Sequence, residues 1–224
     1  MYRGTTISVV IPCYNEEEGL ARVIPSLPKS VDDLIVVDNR STDRTAEVAR
    51  RLGARVINEA RRGYGAAYKA GLAAATGDIT VTMDGDGTYP ADQVEECVAF
   101  LLDRNLDFVS ASRFPLVDAS AMSFWSKVGN GILTFAMLVL FMRRVMDSQS
   151  GMWIYRSALY PEIAPESDGM AFSEEIKIRA IRHPRVAFGE CRIRYRPRIG
   201  EVKLEKWRDG FRNLWYLVKL RCAR

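Results

Sequence analysis

The sequence predicts an α/β protein: one mostly parallel sheet with helices on both faces, and a basic helical extension at the C-terminus. Three observations carry this. Strand-like and helix-like segments alternate at short intervals through the first half of the chain. The strand-like segments are near-continuous apolar runs, as strands buried on both faces must be. And 224 residues, 48% of them hydrophobic, suffice for one substantial core; a disordered chain would carry fewer apolar residues.

The elements follow in order. Thr6–Ile11 (TISVVI) reads as a buried strand, and Glu17–Leu27 as the helix after it. Leu34–Asp38 (LIVVD) is a second strand, with Ser41 or Thr42 suited to cap a helix running to Leu52. Arg55–Asn58 is a short strand. Tyr64–Ala75 (YGAAYKAGLAAA) is a helix rich in small residues, so it can pack closely. Ile79–Met83 is the fourth strand, Ala91–Asp103 a helix, and Phe108–Ala111 a fifth strand. The second half differs. Val128–Met142 is uncharged throughout and ends at Arg143–Arg144. It falls short of the roughly 20 apolar residues of a membrane-crossing helix. Two readings remain: a core helix, or a helix lying in a membrane interface. Phe172–Ile181 is another helix. Val186–Tyr195 alternates like a strand, with Arg192, Arg194 and Arg196 on one face. A last helix, about Glu205–Leu220, sets Trp207, Phe211, Leu214, Trp215 and Val218 on one stripe. No repeat or linker interrupts the chain, so residues 1–224 read as one domain.

Composition excludes several chemistries. The four cysteines lie far apart with no CxxC pair, which leaves neither a zinc site nor a redox motif in view. Reduced thiols and a cytoplasmic setting are expected. Met1–Arg3 leads straight into a strand, so no signal peptide is expected. A single histidine, His183, argues against a Ser-His-Asp triad or a histidine metal cluster. Residues 192–224 carry eleven lysines and arginines against three acids, leaving a mildly acidic body with a basic tail. Such a tail suits an anionic partner.

Ligands of parallel sheets bind at the carboxyl ends of the strands, where Met83–Pro90 reads MDGDGTYP. Two carboxylates, Asp84 and Asp86, sit there with only Gly85 between them. Burying both is costly unless a cation joins them. Oxygen ligation by so few groups suits Mg²⁺ or Mn²⁺ sharing a substrate diphosphate. Gly85 and Gly87 would let a ligand approach the backbone. The bland alternative is an Asp/Gly turn. The same string is also the nucleophile motif of haloacid dehalogenase-like phosphatases. There it follows the first strand and is completed by a late acidic cluster; here it follows the fourth, and no such cluster follows.

Taken together, VVIPCYNEEE (Val9–Glu18), LIVVDNRSTDRT (Leu34–Thr45), RRGYGAAYKAGL (Arg61–Leu72) and MDGDGTYP resemble the family 2 glycosyltransferases of GT-A, Rossmann-like fold. The likeness is greatest to the dolichyl- and polyprenyl-phosphate sugar synthases and extends over about residues 6–220. SASRF (Ser110–Phe114), DSQSGMWIYR (Asp147–Arg156), FSEEIKIRA (Phe172–Ala180) and YRPRIGEVKL (Tyr195–Leu204) support it. The resemblance implies a nucleotide-sugar half at about 6–115 and an acceptor and membrane-interface half at about 116–224. It implies that Pro12, Tyr14 and Glu16 receive the base and ribose, that Asp38 reads the base, and that Arg62 and Gly63 form the nucleotide floor. Many relatives have a second Asp where this chain has Asn39. Asp84 and Asp86 resemble the metal–diphosphate pair; some relatives have a ligating Gln where Thr88 stands. Arg113 joins them as a catalytic candidate. Gln149, Ser150, Arg196, Arg198 and Lys203 are expected at the acceptor phosphate, although relatives often read GxSK where this chain has Gly200-Glu201-Val202-Lys203.

The implied reaction is inverting transfer of a sugar from a nucleotide-diphosphate sugar, GDP-mannose or a UDP-sugar, to a polyprenyl or dolichyl phosphate. It would take place at the cytoplasmic face of a membrane, with Mg²⁺ or Mn²⁺ as cofactor. A membrane-anchoring partner subunit is compatible with this, and no nucleic-acid partner is expected. A phosphate nucleophile is ionised near neutral pH and needs no general base. A hydroxyl acceptor would need one, with Asp147, Glu174 and Glu175 as candidates. The other classes in play are the phosphatase and a non-catalytic nucleotide-binding or membrane-adaptor subunit.

Overall fold

The computed structural model of the chain describes residues 1–200 and 206–222, with the backbone alone for 206–209. Its elements are β1 (Ile7–Cys13), α1 (Glu17–Ser26), β2 (Asp33–Asp38), α2 (Thr45–Arg51), β3 (Arg55–Asn58), α3 (Tyr64–Ala74), β4 (Ile79–Thr82), α4 (Val94–Asp103), β5 (Phe108–Ser112), α5 (Phe124–Phe141), β6 (Trp153–Arg156), α6 (Tyr160–Ile163), α7 (Phe172–Arg182), β7 (Phe188–Arg192) and α8 (Lys206–Cys222). One sheet runs β3-β2-β1-β4-β6-β5-β7. The pairs among β1 to β4 are parallel, with Cys13 opposite Asp38 and Val10 opposite Thr82. Their carboxyl ends therefore share one edge.

The apolar strands do bury both faces. On one, Val9, Ile11 and Val36 pack with Leu20 of α1, Val48 of α2 and Val98 of α4. On the other, Val10, Ile35 and Val37 pack with Ala67 and Leu72 of α3 and Phe172 and Ile176 of α7. The small residues of α3 matter here: a Cβ on Gly71 would stand 2.4 Å from Val10 Cγ1 and 2.7 Å from Val37 Cγ2.

Four local expectations are corrected. β6 was not foreseen, and it runs antiparallel to both β4 and β5. The strand expected over Val186–Tyr195 keeps only Phe188–Arg192. Beyond it the chain leaves the sheet to cross the MDGDGTYP loop, where Arg196 N–H and Ile199 N–H donate to the carbonyls of Thr88 and Asp86, both at 2.9 Å. Helix α2 starts at Thr45, whose N–H donates to Asp43 Oδ1 at 2.9 Å. Ser41 and Thr42 are spent on Asn15 instead. Finally, α5 begins one turn earlier than expected, at Phe124, with Ser123 Oγ accepting from Ser126 N–H.

Helix α5 is not a core helix. It buries Asn130, Leu133 and Met137, the last two packing with Val145, Ile178 of α7 and Leu217 of α8. Phe124, Trp125, Ile132, Phe135 and Val139 are exposed, Phe135 at 66%. Phe211 and Trp215 of α8 add to this face, at 70% and 67%. With 18 residues and mean hydropathy 1.4, α5 is long and apolar enough by length and composition to cross a membrane.

Candidate active site

Chain order reverses between β1 and β4, the position at which open α/β sheets bind ligands. A cavity of about 690 Å³ lies there. The β1 end supplies Pro12, Tyr14 and Glu16; the β2 end supplies Asn39; the β3–α3 loop supplies Arg62 and Gly63; and the β4 end supplies Asp84, Gly85 and Asp86. Residues far apart in the sequence thus line one cavity; Asp38, expected among them, does not.

Asp84 is held in a protein cage. Tyr64 OH donates to its Oδ1 at 3.2 Å. A Cβ on Gly151 would lie 3.6 Å from that same oxygen and 2.4 Å from Tyr64 OH. Burial, then the neighbouring Asp86, pushes the Asp84 carboxyl up to about 7. Asp86 is 4% exposed, and both of its oxygens have partners. Its Oδ1 accepts from Thr88 N–H at 2.9 Å and Thr88 Oγ at 2.6 Å. Its Oδ2 pairs with Arg198 Nη1 at 3.0 Å. Thr88 therefore orients the carboxylate rather than facing the cavity. Gly85 serves the protein more than a ligand, since a Cβ there would stand 2.8 Å from Cys13 Sγ.

The β1, β2 and β3 side of the cavity is built from tied loops. Arg62 Nη2 donates to Tyr14 OH at 2.9 Å, and its guanidinium lies 5.1 Å from the centre of the Tyr14 ring. Asn39 is buried and anchors the loop below it: Nδ2 donates to the carbonyls of Glu59 and Arg61, and Oδ1 accepts from Gly63 N–H. Asp38 stands outside the cavity wall, its Oδ1 accepting from Ser41 N–H at 3.1 Å to close a turn.

The expected acceptor group is not brought together. Arg196 pairs with Asp92 at the surface, whereas Arg198 lines the cavity at the β1 and β4 ends, its Nη2 2.7 Å from Glu16 Oε1. Lys203 lies outside the described residues. Arg113 is buried away from the cavity wall, bidentate to Asp147 at 2.7 and 2.8 Å. Burial opposes ionisation of Asp147, but Arg113 outweighs it and holds the carboxyl below its ordinary range. Ser150 Oγ bonds the Ala111 carbonyl, and Gln149 spans Glu174 of α7 and Asn213 of α8. Lys177, unremarked in the sequence, donates to the carbonyls of Asp147, Ser148 and Ser150. Residues 147–150 thus form a buried polar joint between the sheet and the α5–α8 layer.

Other cavity residues escaped sequence reasoning. Tyr64 sat in a quoted motif without a role. Asp168, Gly169 and Met170 enter from the loop before α7, and Arg212 from α8; no sequence signal links them to β4. The carboxylate of Glu175 holds that loop by accepting from Glu166 N–H and Ser167 N–H at 3.0 Å. Glu174 is also buried, which pushes it up to about 7.

The donor set fits a divalent cation. Two carboxylates share one buried site, and an arginine cation already sits on one of them. No group of three or more His, Cys, Asp or Glu side chains suited to a metal exists among the described residues. A metal here would take its remaining ligands from water and a bound diphosphate, as hard cations do.

The family model described as Glycosyl transferase family 2 matches residues 8–163. The chain belongs to this family. Among relatives of this glycosyltransferase, a dolichyl-phosphate hexose transferase of Haloferax volcanii is 35% identical over 93% of this chain and 91% of its own length. A low-salt glycan biosynthesis hexosyltransferase of the same organism is 31% identical over 95% of this chain, which spans only 53% of that protein. The fold matches glucosyl-3-phosphoglycerate synthase of Mycobacterium tuberculosis, crystallised with Mn²⁺, UDP and phosphoglyceric acid. That match has a TM-score of 0.80 and 24% identity, and covers 98% of this chain and 79% of that one. A UDP complex of the same synthase matches with a TM-score of 0.76 and 26% identity, over 98% and 81%. The phosphatase reading of the Asp-Gly-Asp string is thereby set aside.

Proposed function

We propose that this family 2 glycosyltransferase moves a hexose from a nucleoside-diphosphate sugar to a polyprenyl or dolichyl phosphate at the cytoplasmic surface of a membrane, with inversion. The observation that carries this is adjacency. Arg212 of α8 lines the nucleotide cavity, while its neighbour Phe211 belongs to the exposed apolar face shared with α5. A nucleotide site bordered by an uncovered aromatic and aliphatic surface suits an acceptor with a phosphate head and an apolar tail. The Haloferax dolichyl-phosphate hexose transferase supports the same acceptor class.

Tyr14, Glu16, Arg62 and Gly63 would hold the base and ribose. Asp84 and Asp86 would hold Mg²⁺ or Mn²⁺, which supplies positive charge beside the leaving diphosphate. Tyr64 and Thr88 keep the two carboxylates in place. The acceptor phosphate oxygen forms a bond to the anomeric carbon as the bond to the diphosphate oxygen breaks. A phosphate with a second pKa of about 6 is already ionised, so no protein base is needed. The single histidine fits this, because His183 lies at the end of α7 and pairs with Glu162. Arg212 and Arg198 are the cavity's cations for phosphate groups.

The test is a panel of nucleotide sugars incubated with polyprenyl phosphate and Mn²⁺, read by mass spectrometry. A glycosylated lipid phosphate is expected from at least one donor. Transfer only to a soluble phosphorylated acid would overturn the lipid acceptor. Nucleotide binding without turnover on any pair would point to the adaptor subunit.

A further inference from the structure

Arg198 occupies an unusual position for a residue expected at an acceptor. Its guanidinium bridges two acids of the nucleotide cavity, with Nη1 3.0 Å from Asp86 Oδ2 and Nη2 2.7 Å from Glu16 Oε1. Its Nε is buried with no partner among the described residues. The backbone around it is strapped across the Asp-Gly-Asp loop. Arg196 N–H and Ile199 N–H donate to the carbonyls of Thr88 and Asp86, and Ile199 lies where a Cβ on Gly87 would meet its Cδ1 at 2.5 Å.

We propose that Arg198 is a built-in counter-cation for Asp86, which a divalent metal must displace, so that the metal binds well only together with a nucleoside diphosphate. The inference rests on the proposed reading of Asp84 and Asp86 as the metal pair. The physical argument is one of occupancy and charge. Thr88 takes Asp86 Oδ1, so Oδ2 is the oxygen a metal would use, and the guanidinium holds it. A metal arriving alone must break a charge-assisted bond made in a poorly solvated place. It also brings two positive charges beside an arginine that keeps only Glu16. Like charges at such range in a low-dielectric cavity repel strongly. A diphosphate changes both conditions: it ligates the metal, and it offers the released guanidinium new oxygen acceptors. Metal and nucleotide then bind with positive coupling, which thermodynamics requires to be reciprocal. Arg198 is thus a positioning residue of the donor site.

Calorimetry on the full chain tests this with Mn²⁺ alone, with UDP or GDP alone, and with each together. Wild-type protein is expected to bind Mn²⁺ alone weakly and about tenfold or more tightly in the presence of saturating nucleotide, a coupling of about 1.4 kcal/mol. Arg198→Ala is expected to bind Mn²⁺ alone several-fold more tightly and to lose the part of the coupling that comes from the guanidinium, keeping the part that comes from diphosphate ligation of the metal; Arg198→Lys should fall between. Mn²⁺ affinity unchanged or weaker in a folded Arg198→Ala protein would overturn the proposal. So would a wild-type protein that binds Mn²⁺ equally well with and without nucleotide, a result that needs no variant. Asp86→Asn separates the two layers: if Mn²⁺ binding survives in it, the carboxylate-pair reading has failed, whereas its loss there beside an unaltered Arg198→Ala fails the counter-cation alone.

Discussion

Asp84 shows most clearly what a single residue contributes. Its carboxyl sits near 7 because burial and Asp86 both disfavour its charge, whereas in the unfolded chain it ionises near 3.8. Between those values the folded state keeps a proton that the unfolded chain has released. Stability therefore falls as pH rises from about 4 to about 7 and stays lower above that range. Asp84→Asn removes this cost while keeping an oxygen for Tyr64. In metal-free buffer its thermal midpoint should exceed the wild type's at pH 8, by an energy of at most about 4 kcal/mol, and match it near pH 4. A gain equal at both pH values would show that the buried charge is not its cause. With Mn²⁺ and a nucleoside diphosphate the order should reverse if Asp84 holds the metal as proposed, because ligands stabilise only the protein that binds them. Asp86→Asn should likewise leave the fold intact while abolishing metal-dependent nucleotide binding in calorimetry. At this scale the sequence was informative, since two acids one residue apart after an apolar strand are costly to bury together, and the structure does bury them. It was silent on Tyr64, whose hydroxyl donates to Asp84 from α3, and it gave no sign that Arg198 pairs with Asp86 and Glu16.

Elements obey packing more than propensity. Helix α3 lies close on the sheet because Gly71 meets Val10 and Val37 directly. Gly71→Ala gains up to about 1 kcal/mol of helix propensity but overpacks this contact by about 1–3 kcal/mol; urea unfolding should show a net loss. The joint at residues 147–150 is held by Arg113 against Asp147. Asp147→Asn should destabilise by about 3–5 kcal/mol, because it leaves a buried guanidinium without its counter-charge. Loss of activity in that variant together with a lowered unfolding midpoint would reflect the joint, not a missing base. Glu174→Gln, by contrast, removes a buried acid and should keep turnover if the nucleophile is a phosphate. Apolar runs and small-residue spacing made most of these elements legible. Strand β6 was not, since its four residues (WIYR) have no periodicity to set against the loops beside them, and only the vacancy between β4 and β5 gives them a partner.

For the whole molecule, the exposed face of α5 and α8 is the feature that a monomer in water leaves uncovered. Phe135, Ile132, Phe211 and Trp215 project from it, with Arg143 and Arg144 exposed at the end of α5. At 1.5 Å per residue α5 extends about 27 Å, just under a hydrocarbon core of about 30 Å, and it is anchored on the protein through Leu133 and Met137. Docking on the surface suits it better than crossing. Aromatic residues beside cations favour the interface, and each surface cation near anionic lipid adds about 1 kcal/mol. The protein is expected to float with anionic vesicles at low salt and less at high salt, where charge is screened. The double change Phe135→Ser and Trp215→Ser should reduce flotation at both salt concentrations without lowering the unfolding midpoint. Equal flotation of wild type and variant would remove this face from membrane binding.

What the sequence by itself determined was the α/β class, the order of the first five strands and the place of the paired acids, Asp84 and Asp86, just after β4. Those are local facts: strand burial, turn chemistry and paired charges are written in neighbouring residues. Only the tertiary structure decided that β6 enters the sheet antiparallel, that Arg113 and Ser150 serve a buried joint, that Arg198 lies on Asp86, and that α5 turns its apolar side outward. Each of these depends on which distant segments meet, and a run of apolar residues or a lone arginine reads the same whether its partner is protein, ligand or lipid.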